Sequence, residues 1–304
     1  MRALIYDPAA RHRVRFGDVP EPVPSPSEAV IAVEAASLNF GELAFAERQL
    51  RPGQLLGKDA AGTVVQAAAD GSGPPVGTRV SSFAGTGGFA ELRAVATSDL
   101  AAVPDSVGLA AAAAVPAAGA TALQAVRRLG PLLGRRVLVT GASGGVGRFA
   151  VQLAARAGAH VIASVGRPQR GDGLRALGAA EVLSGSTIPD EPVYGVIDNV
   201  GGPILAQAFG KLCDGGIALS VGWAAREQTV IDFEEMRMLG GVRRLEPFCV
   251  SSPFGPDIAY LVERLRTGEL DPQIGWTGSW RHVHDAIDAL LDRQVNGKAV
   301  LDMR

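Results

Sequence analysis

Residues 135–158, RRVLVTGASGGVGRFAVQLAARAG, constrain the fold more than any other part of the chain. A β-branched apolar pattern at 137–140 runs into four glycines, Gly141, Gly144, Gly145 and Gly147, and then into an amphipathic helical pattern at 146–157. Glycine at such a turn allows a tight bend, brings backbone N–H groups close to a pyrophosphate and lets the helix pack on the strand. The helix beginning near Gly145 turns its positive end toward that phosphate. A bare glycine motif says little. With the strand before it and the helix after it, the segment predicts dinucleotide binding over a purely structural turn.

The 304 residues are 47% hydrophobic and 20% charged, which suits one large domain or two and argues against disorder. A net charge of -2 gives no electrostatic case for nucleic acid or an anionic membrane as partner. Two cysteines, Cys213 and Cys249, form neither a close pair nor a Cys/His cluster. A structural zinc site and a disulfide scaffold are therefore not expected, in keeping with a reducing cytoplasm. Charges interrupt the first residues, so no signal peptide is read there. The most apolar run, 109–126, contains Pro116 and Gly119 and is short for a membrane span; it reads as a buried helix pair near a domain junction.

Up to about residue 115 the chain reads as strand and turn, with strands at 3–6, 29–36 and 61–67 between Pro/Gly-rich stretches. From about 120 to 245 strand and helix alternate. Strands fall at 137–140, 160–165, 194–198 and 217–221; helices fall at 146–157, in a stretch ending at Gly178, and at 204–212. Such alternation implies a doubly wound parallel sheet with helices on both faces. Two amphipathic helices, 257–266 and 283–293, precede a last strand at 298–302, which needs the N-terminal sheet to join.

In nicotinamide-binding sheets the end of the second strand selects the cofactor. A carboxylate there accepts from the ribose 2′-hydroxyl, whereas arginine neutralises a 2′-phosphate. Here HVIASVGRPQR supplies Ser164, Arg167 and Arg170 and no acid, which predicts NADPH over NADH. The alternative is that both arginines are solvated loop charges.

The chain resembles the medium-chain dehydrogenase/reductase superfamily, in its zinc-independent quinone oxidoreductase and enoyl reductase branch. The resemblance covers nearly the whole length. It is carried by the order and spacing of SLNFGEL from Ser37, LLGKDAAGTVV from Leu55, VGTRV from Val76, GGFAE from Gly87, VPAAGATAL from Val115, TGASGGVG from Thr140, VIDNVGG from Val196, LSVG from Leu219 and GKAVL from Gly297. It implies a Rossmann domain (116–255) inserted in a split, partly open β-barrel of the GroES-like kind (1–115 and 256–304), a cleft between them, and commonly a homodimer. By the same resemblance the cofactor contacts fall on Asn39, Thr121, Gly144, Gly145, Val146, Ser164, Arg170 and Asn199, with Val221 and Gly222 closing LSVG. Relatives often place a tyrosine after the third strand near the 2′-phosphate; here stand Ser184 and Gly185.

Zinc-dependent relatives use a first-loop Cys and the His of a Gly-His-Glu motif. The matching positions here are Ser37 and Gly57-Lys58-Asp59, and a protonated lysine does not ligate zinc. The four histidines lie away from these motifs, and His282 and His284, two apart, read as solvated. Without a Lewis acid, the expected reaction is hydride transfer to a quinone or an α,β-unsaturated carbonyl such as an enone or enoyl thioester, and the protein must stabilise the developing oxyanion. The catalytic candidates are Lys58, at the histidine-ligand position, and Asn39, whose amide can bond the ribose or the substrate carbonyl. Their ordinary alternatives are an ion pair of Lys58 with Asp59 and a turn-stabilising Asn39. A carrier-bound acyl substrate is a further expectation, and a catalytically silent NADPH-binding sensor or structural protein is the rival reading.

Overall fold

Alternating small and β-branched residues build the N-terminal strands. In the computed structural model, which describes all of Met1–Arg304, β1 (Arg2–Tyr6) and β2 (Val14–Asp18) form an antiparallel pair. The 11-residue β3 (Glu28–Leu38) is followed by two short helices, α1 (Phe40–Ala44) and α2 (Ala46–Gln49). Next come β4 (Asp59–Gln66), β5 (Arg79–Phe83), β6 (Leu92–Ala96) and β7 (Leu100–Ala102). The alanine-rich run folds as α3 (Leu109–Ala114) and α4 (Pro116–Leu129). Pro116 opens the second helix, where its missing N–H has no intrahelical role.

The glycine segment then starts a second architecture: β8 (Arg136–Thr140), α5 (Gly145–Arg156), β9 (His160–Val165), β10 (Ala179–Ser184), β11 (Val193–Asp198), α6 (Gly202–Gly210), β12 (Leu212–Ser220), α7 (Phe233–Met238) and β13 (Arg244–Pro247). All six strands are parallel, in the order β10-β9-β8-β11-β12-β13. Counted from β8 this is 3-2-1-4-5-6, the dinucleotide-binding order, whose direction of winding reverses between β8 and β11. Leu138, Ile162, Val196 and Ala218 bury one face of the sheet under Leu205 and Phe209 of α6. Each large aliphatic side chain so buried contributes about 1.5–3 kcal/mol.

The chain closes with α8 (Gly255–Arg266), β14 (Ile274–Ser279), α9 (Val283–Leu291) and β15 (Lys298–Asp302). β15 pairs antiparallel with β3, with Val300 opposite Ser37, so the last strand joins the N-terminal sheet as its pattern requires. That sheet runs β14-β15-β3-β4-β5-β7, and β6 also pairs with β3. Two units result, Met1–Ala120 with Ser251–Arg304, and Thr121–Val250. The first division falls inside α4, five residues beyond the junction read at 115/116; the second falls five residues before 255/256.

One expected element is corrected. The helix read before Gly178 is a 3-10 turn (Pro168–Gly171) followed by further turns. Gly173 and Gly178 take φ of 78° and 104°, a left-handed conformation that interrupts an α-helix. Of the two histidines read as solvated, His282 is exposed and His284 is half-buried. His160 bonds Glu181 at 2.6 Å, and the buried Nδ1 of His284 has no hydrogen-bond partner. No helix is long and apolar enough to cross a membrane.

Candidate functional site

The functional residues form two clusters, one on each unit. On the parallel sheet, the turn between β8 and α5 admits only glycine at its tightest point. A Cβ on Gly147 would lie 2.5 Å from the Gly141 carbonyl oxygen and 2.6 Å from the Ala142 Cα. Gly141 has a φ of 57°. Gly144 is the helix N-cap, Gly145 and Val146 are half-buried, and no acidic residue occupies the first turn of α5. The unpaired N–H groups of that turn and the helix dipole therefore remain available to an anion.

The C-terminal ends of β8 and β11 meet where the winding reverses. Thr140 Oγ1 donates to the buried Asp198 carboxylate and accepts from the Asn199 N–H at 3.1 Å. Asn199 Nδ2 donates to the Thr140 carbonyl at 2.8 Å, which orients its amide. The Asp198 carboxylate also accepts the Gly201 N–H at 2.7 Å, and burial holds its pKa above the usual carboxylate range against these bonds. Val221 and Gly222 both donate their N–H to the Asp198 carbonyl, at 2.8 and 3.0 Å. A Cβ on Gly222 would sit 2.6 Å from the Asn199 carbonyl oxygen. Asn199, Val221 and Gly222 are thus gathered at one loop crossing, and Asp198 with Thr140 holds them there. Sequence reasoning had not singled out those two.

Around the end of β9, Ser164 is buried and donates to the Thr187 carbonyl at 2.8 Å. Arg170 Nε donates to Ser143 Oγ at 2.8 Å, which ties the arginine to the glycine turn. Arg167 is exposed. Arg148, also not anticipated, is 6% exposed and donates to the Asp172 carbonyl at 2.7 Å, bracing the same loop from α5. Its signal was an arginine set within the apolar stretch of a helix, the residues from Gly147 to Ala154 being buried. Thr121 is half-buried in α4.

On the other unit the center of the cluster is Asp59, fully buried at the start of β4. Its Oδ2 accepts from Ser37 Oγ at 2.7 Å, from Asn39 Nδ2 at 3.1 Å and from Lys298 Nζ at 3.2 Å; its Oδ1 accepts the Ala117 N–H at 2.8 Å. Lys298, 2% exposed, also donates to Asn39 Oδ1 at 2.7 Å and to the Leu38 carbonyl at 3.1 Å. The ordinary alternative for Lys58, an ion pair with Asp59, does not form; Asp59 pairs with Lys298 instead. Lys58 is half-buried, and its carbonyl accepts from Arg93 at 2.7 Å.

Glu42 of α1 lies beside this group. Its Oε1 accepts the Gly57 N–H at 2.7 Å, while its buried Oε2 has no hydrogen-bond partner. Burial raises Glu42 to about 7 against the Gly57 hydrogen bond and the positive charges of Lys58 and Lys298. Arg93 is pulled by burial to about 10, against Asp59 and Glu42. Gly57 has a φ of 93°, and a Cβ there would lie 2.4 Å from the Phe89 nitrogen, so the turn that presents Lys58 requires glycine.

A parallel sheet with its glycine turn at the switch point in one unit, and a mixed sheet carrying a buried polar cluster in the other, define a two-part dehydrogenase fold. Family comparison agrees. Residues 25–105 match the alcohol dehydrogenase GroES-like domain, and residues 145–254 match the zinc-binding dehydrogenase domain. The chain is 31% identical to the putative quinone oxidoreductase YhfP of Bacillus subtilis, over 82% of this chain and 81% of that protein. It is 40% identical to the chloroplast envelope quinone oxidoreductase homolog of Arabidopsis thaliana, over 56% of each chain. It is 34% identical to the acrylyl-CoA reductase AcuI of Ruegeria pomeroyi, over 55% of this chain and 54% of that protein. These last two matches therefore span about half the length of the relatives concerned. The yhdH oxidoreductase of Salmonella enterica, solved in complex with NADP, superposes with a TM-score of 0.82 at 25% identity, covering 100% of both chains. The chain belongs to the medium-chain dehydrogenase/reductase superfamily, in its quinone oxidoreductase branch.

The zinc in that domain's name does not fit these residues. Ser37 spends its hydroxyl hydrogen on Asp59, Lys58 stands at the expected histidine position, and no three His, Cys, Asp or Glu side chains are grouped to hold a metal.

Proposed function

We propose that this chain is a zinc-independent, NADPH-dependent oxidoreductase that reduces quinones or α,β-unsaturated carbonyls, the enones and enoyl thioesters. The observation that carries the cofactor assignment is Arg170, bonded through Ser143 to the glycine turn where β9 ends without a carboxylate. Arg170, with Arg167 beside it, supplies guanidinium donors for a 2′-phosphate. Gly144, Gly145 and Val146 offer first-turn N–H groups to the pyrophosphate. Asn199, Val221 and Gly222 line the switch point, where dinucleotides bind in such sheets, and Ser164 and Thr121 belong to the same contact set. Bound NADPH supplies hydride. Asn39 and Lys58 act on the acceptor: the amide donates to its oxygen, and the ammonium adds positive charge and a proton as the oxyanion develops.

We further propose that the protein is a homodimer through the free edge of β13. β13 is the last strand of its sheet, and Val230, Phe233, Met238, Leu239 and Val242, which precede it in the chain, are exposed.

The test is NADPH consumption against a panel of quinones, enones and enoyl thioesters, with zinc analysis of the purified protein. Turnover without stoichiometric metal is expected. Tight NADPH binding with no turnover on any acceptor would refute the catalytic reading and leave a silent nucleotide-binding protein.

A further inference from the structure

Lys298 is the last charged residue a reader of the sequence would place near a reaction, because it opens the terminal strand, 239 residues from Asp59. Its three ammonium hydrogens nevertheless all have acceptors: Asn39 Oδ1, Asp59 Oδ2 and the Leu38 carbonyl. Asn39 lies between the two charges. Ammonium donates and never accepts, and an ionised carboxylate accepts and never donates. With Lys298 on one end of the amide and Asp59 on the other, only one of the two flip states of Asn39 satisfies both. The oxygen belongs to Lys298 and the nitrogen to Asp59. One amide hydrogen is left without a protein acceptor, and a cation on the amide oxygen polarises that hydrogen further.

We infer that Lys298 is a positioning residue, which locks the Asn39 amide so that Asn39 meets a bound oxygen only as a hydrogen-bond donor. The ligand group it selects is an oxygen acceptor, either the carbonyl of the quinone or enone or a ribose hydroxyl of the cofactor. The inference rests on the reading of Asn39 as a ligand contact. Ser37 and the Ala117 N–H complete the shell of Asp59, so the carboxylate is held in place while the amide works. A freely rotating asparagine would offer its oxygen to the same ligand about as readily as its nitrogen. The pair of opposite charges removes that choice.

The experiment is a double-mutant cycle of Lys298→Met and Asn39→Ala, read in kcat/KM for 1,4-benzoquinone and in the Kd of NADPH by fluorescence titration. Lys298→Met is expected to lower one of the two by about tenfold in the wild-type background, the size of one charge-assisted hydrogen bond, and by less than about twofold when Asn39 is already alanine. A loss in kcat/KM with Kd unchanged assigns the oxygen to the acceptor substrate; a loss in Kd assigns it to the ribose. Equal losses in both backgrounds would mean that Lys298 supports the fold alone, and the inference fails. Should Lys298→Met not fold, the charge-neutral pair Lys298→Met/Asp59→Asn takes its place in the same cycle. If the wild-type protein neither binds NADPH nor reduces any acceptor, the proposed function is what has failed. The claim on Lys298 is then decided by the side-chain amide resonances of Asn39, identified by their loss in Asn39→Ala. They should move more than those of any other side-chain amide on Lys298→Met, and unchanged shifts overturn the inference.

Discussion

Glu42→Gln is expected to change the pH dependence of stability in a way that can be worked out from the burial of one carboxyl. The wild-type group ionises at about 7 in the folded chain and near 4.5 when unfolded, because burial disfavours the anion and only the Gly57 N–H and distant lysines oppose it. Between those two values the folded state holds a proton that the unfolded state has released. The sign follows directly: stability from this group is fully present below about 4.5 and is lost as pH rises to about 7. The whole loss is roughly 3 kcal/mol, at about 1.4 kcal/mol per pH unit, and about 2.5 kcal/mol of it falls between pH 5 and pH 8. Glutamine keeps an acceptor for Gly57 and does not titrate. The stability of Glu42→Gln relative to wild type should therefore rise by about 2.5 kcal/mol from pH 5 to pH 8. Equilibrium urea unfolding at half-unit pH intervals measures this. In a Trp223→Phe background the signal comes from Trp276 and Trp280, both in the unit that holds Glu42. Parallel curves, with a difference constant to within about 0.5 kcal/mol, would show that Glu42 is not buried as a near-neutral acid.

Arg170→Ala should raise the Kd for NADPH by tenfold or more and leave that for NADH within about twofold, since a single guanidinium–phosphate contact is worth about 1.5–3 kcal/mol; parallel fluorescence titrations with both nucleotides check it. Lys58→Met should reduce kcat on a quinone far more than it weakens NADPH binding, in steady-state and binding assays run side by side; equal small effects would remove Lys58 from the chemistry. Val242→Lys, at a position 68% exposed beside β13, should shift the protein from dimer to monomer in analytical ultracentrifugation without lowering its melting temperature.

Four of the six parallel strands, β8, β9, β11 and β12, were legible because their signals are local, whereas β10 and β13 were not read. The β8–glycine–α5 segment carries strand, turn and helix within two dozen residues, and Asn199, Val221 and Gly222 followed from short ordered pieces of sequence. The helix expected before Gly178 was misread because the Leu and Ala spacing there imitates a helical face, while Gly173 and Gly178 set left-handed backbone that no periodicity reveals. The charges of the other cluster were hidden for a different reason. Asp59 entered only as the alternative partner of its sequence neighbour Lys58, whereas its counter-ion is supplied by register, through β15 lying beside β3. A lysine followed by three apolar residues at the head of a strand was the available sign, since such a residue is seldom buried without a carboxylate. Glu42 carried a similar sign, an acid in a short helix with Leu43 and Ala46 as buried neighbours.

Because Lys298 lies on β15, 239 residues after Asp59, the first unit is incomplete until residue 298 has been made. Thr121–Val250 is one continuous stretch and has every strand of its sheet once residue 247 is out of the ribosome. Asp59 has been waiting since early in synthesis, a carboxylate destined for the interior without its cation. Arrival of the final strand delivers the sheet neighbour of β3 and that cation together. A nascent chain halted between residues 250 and 297 would thus carry every strand of the parallel sheet while Asp59 and the Asn39 amide still lacked Lys298.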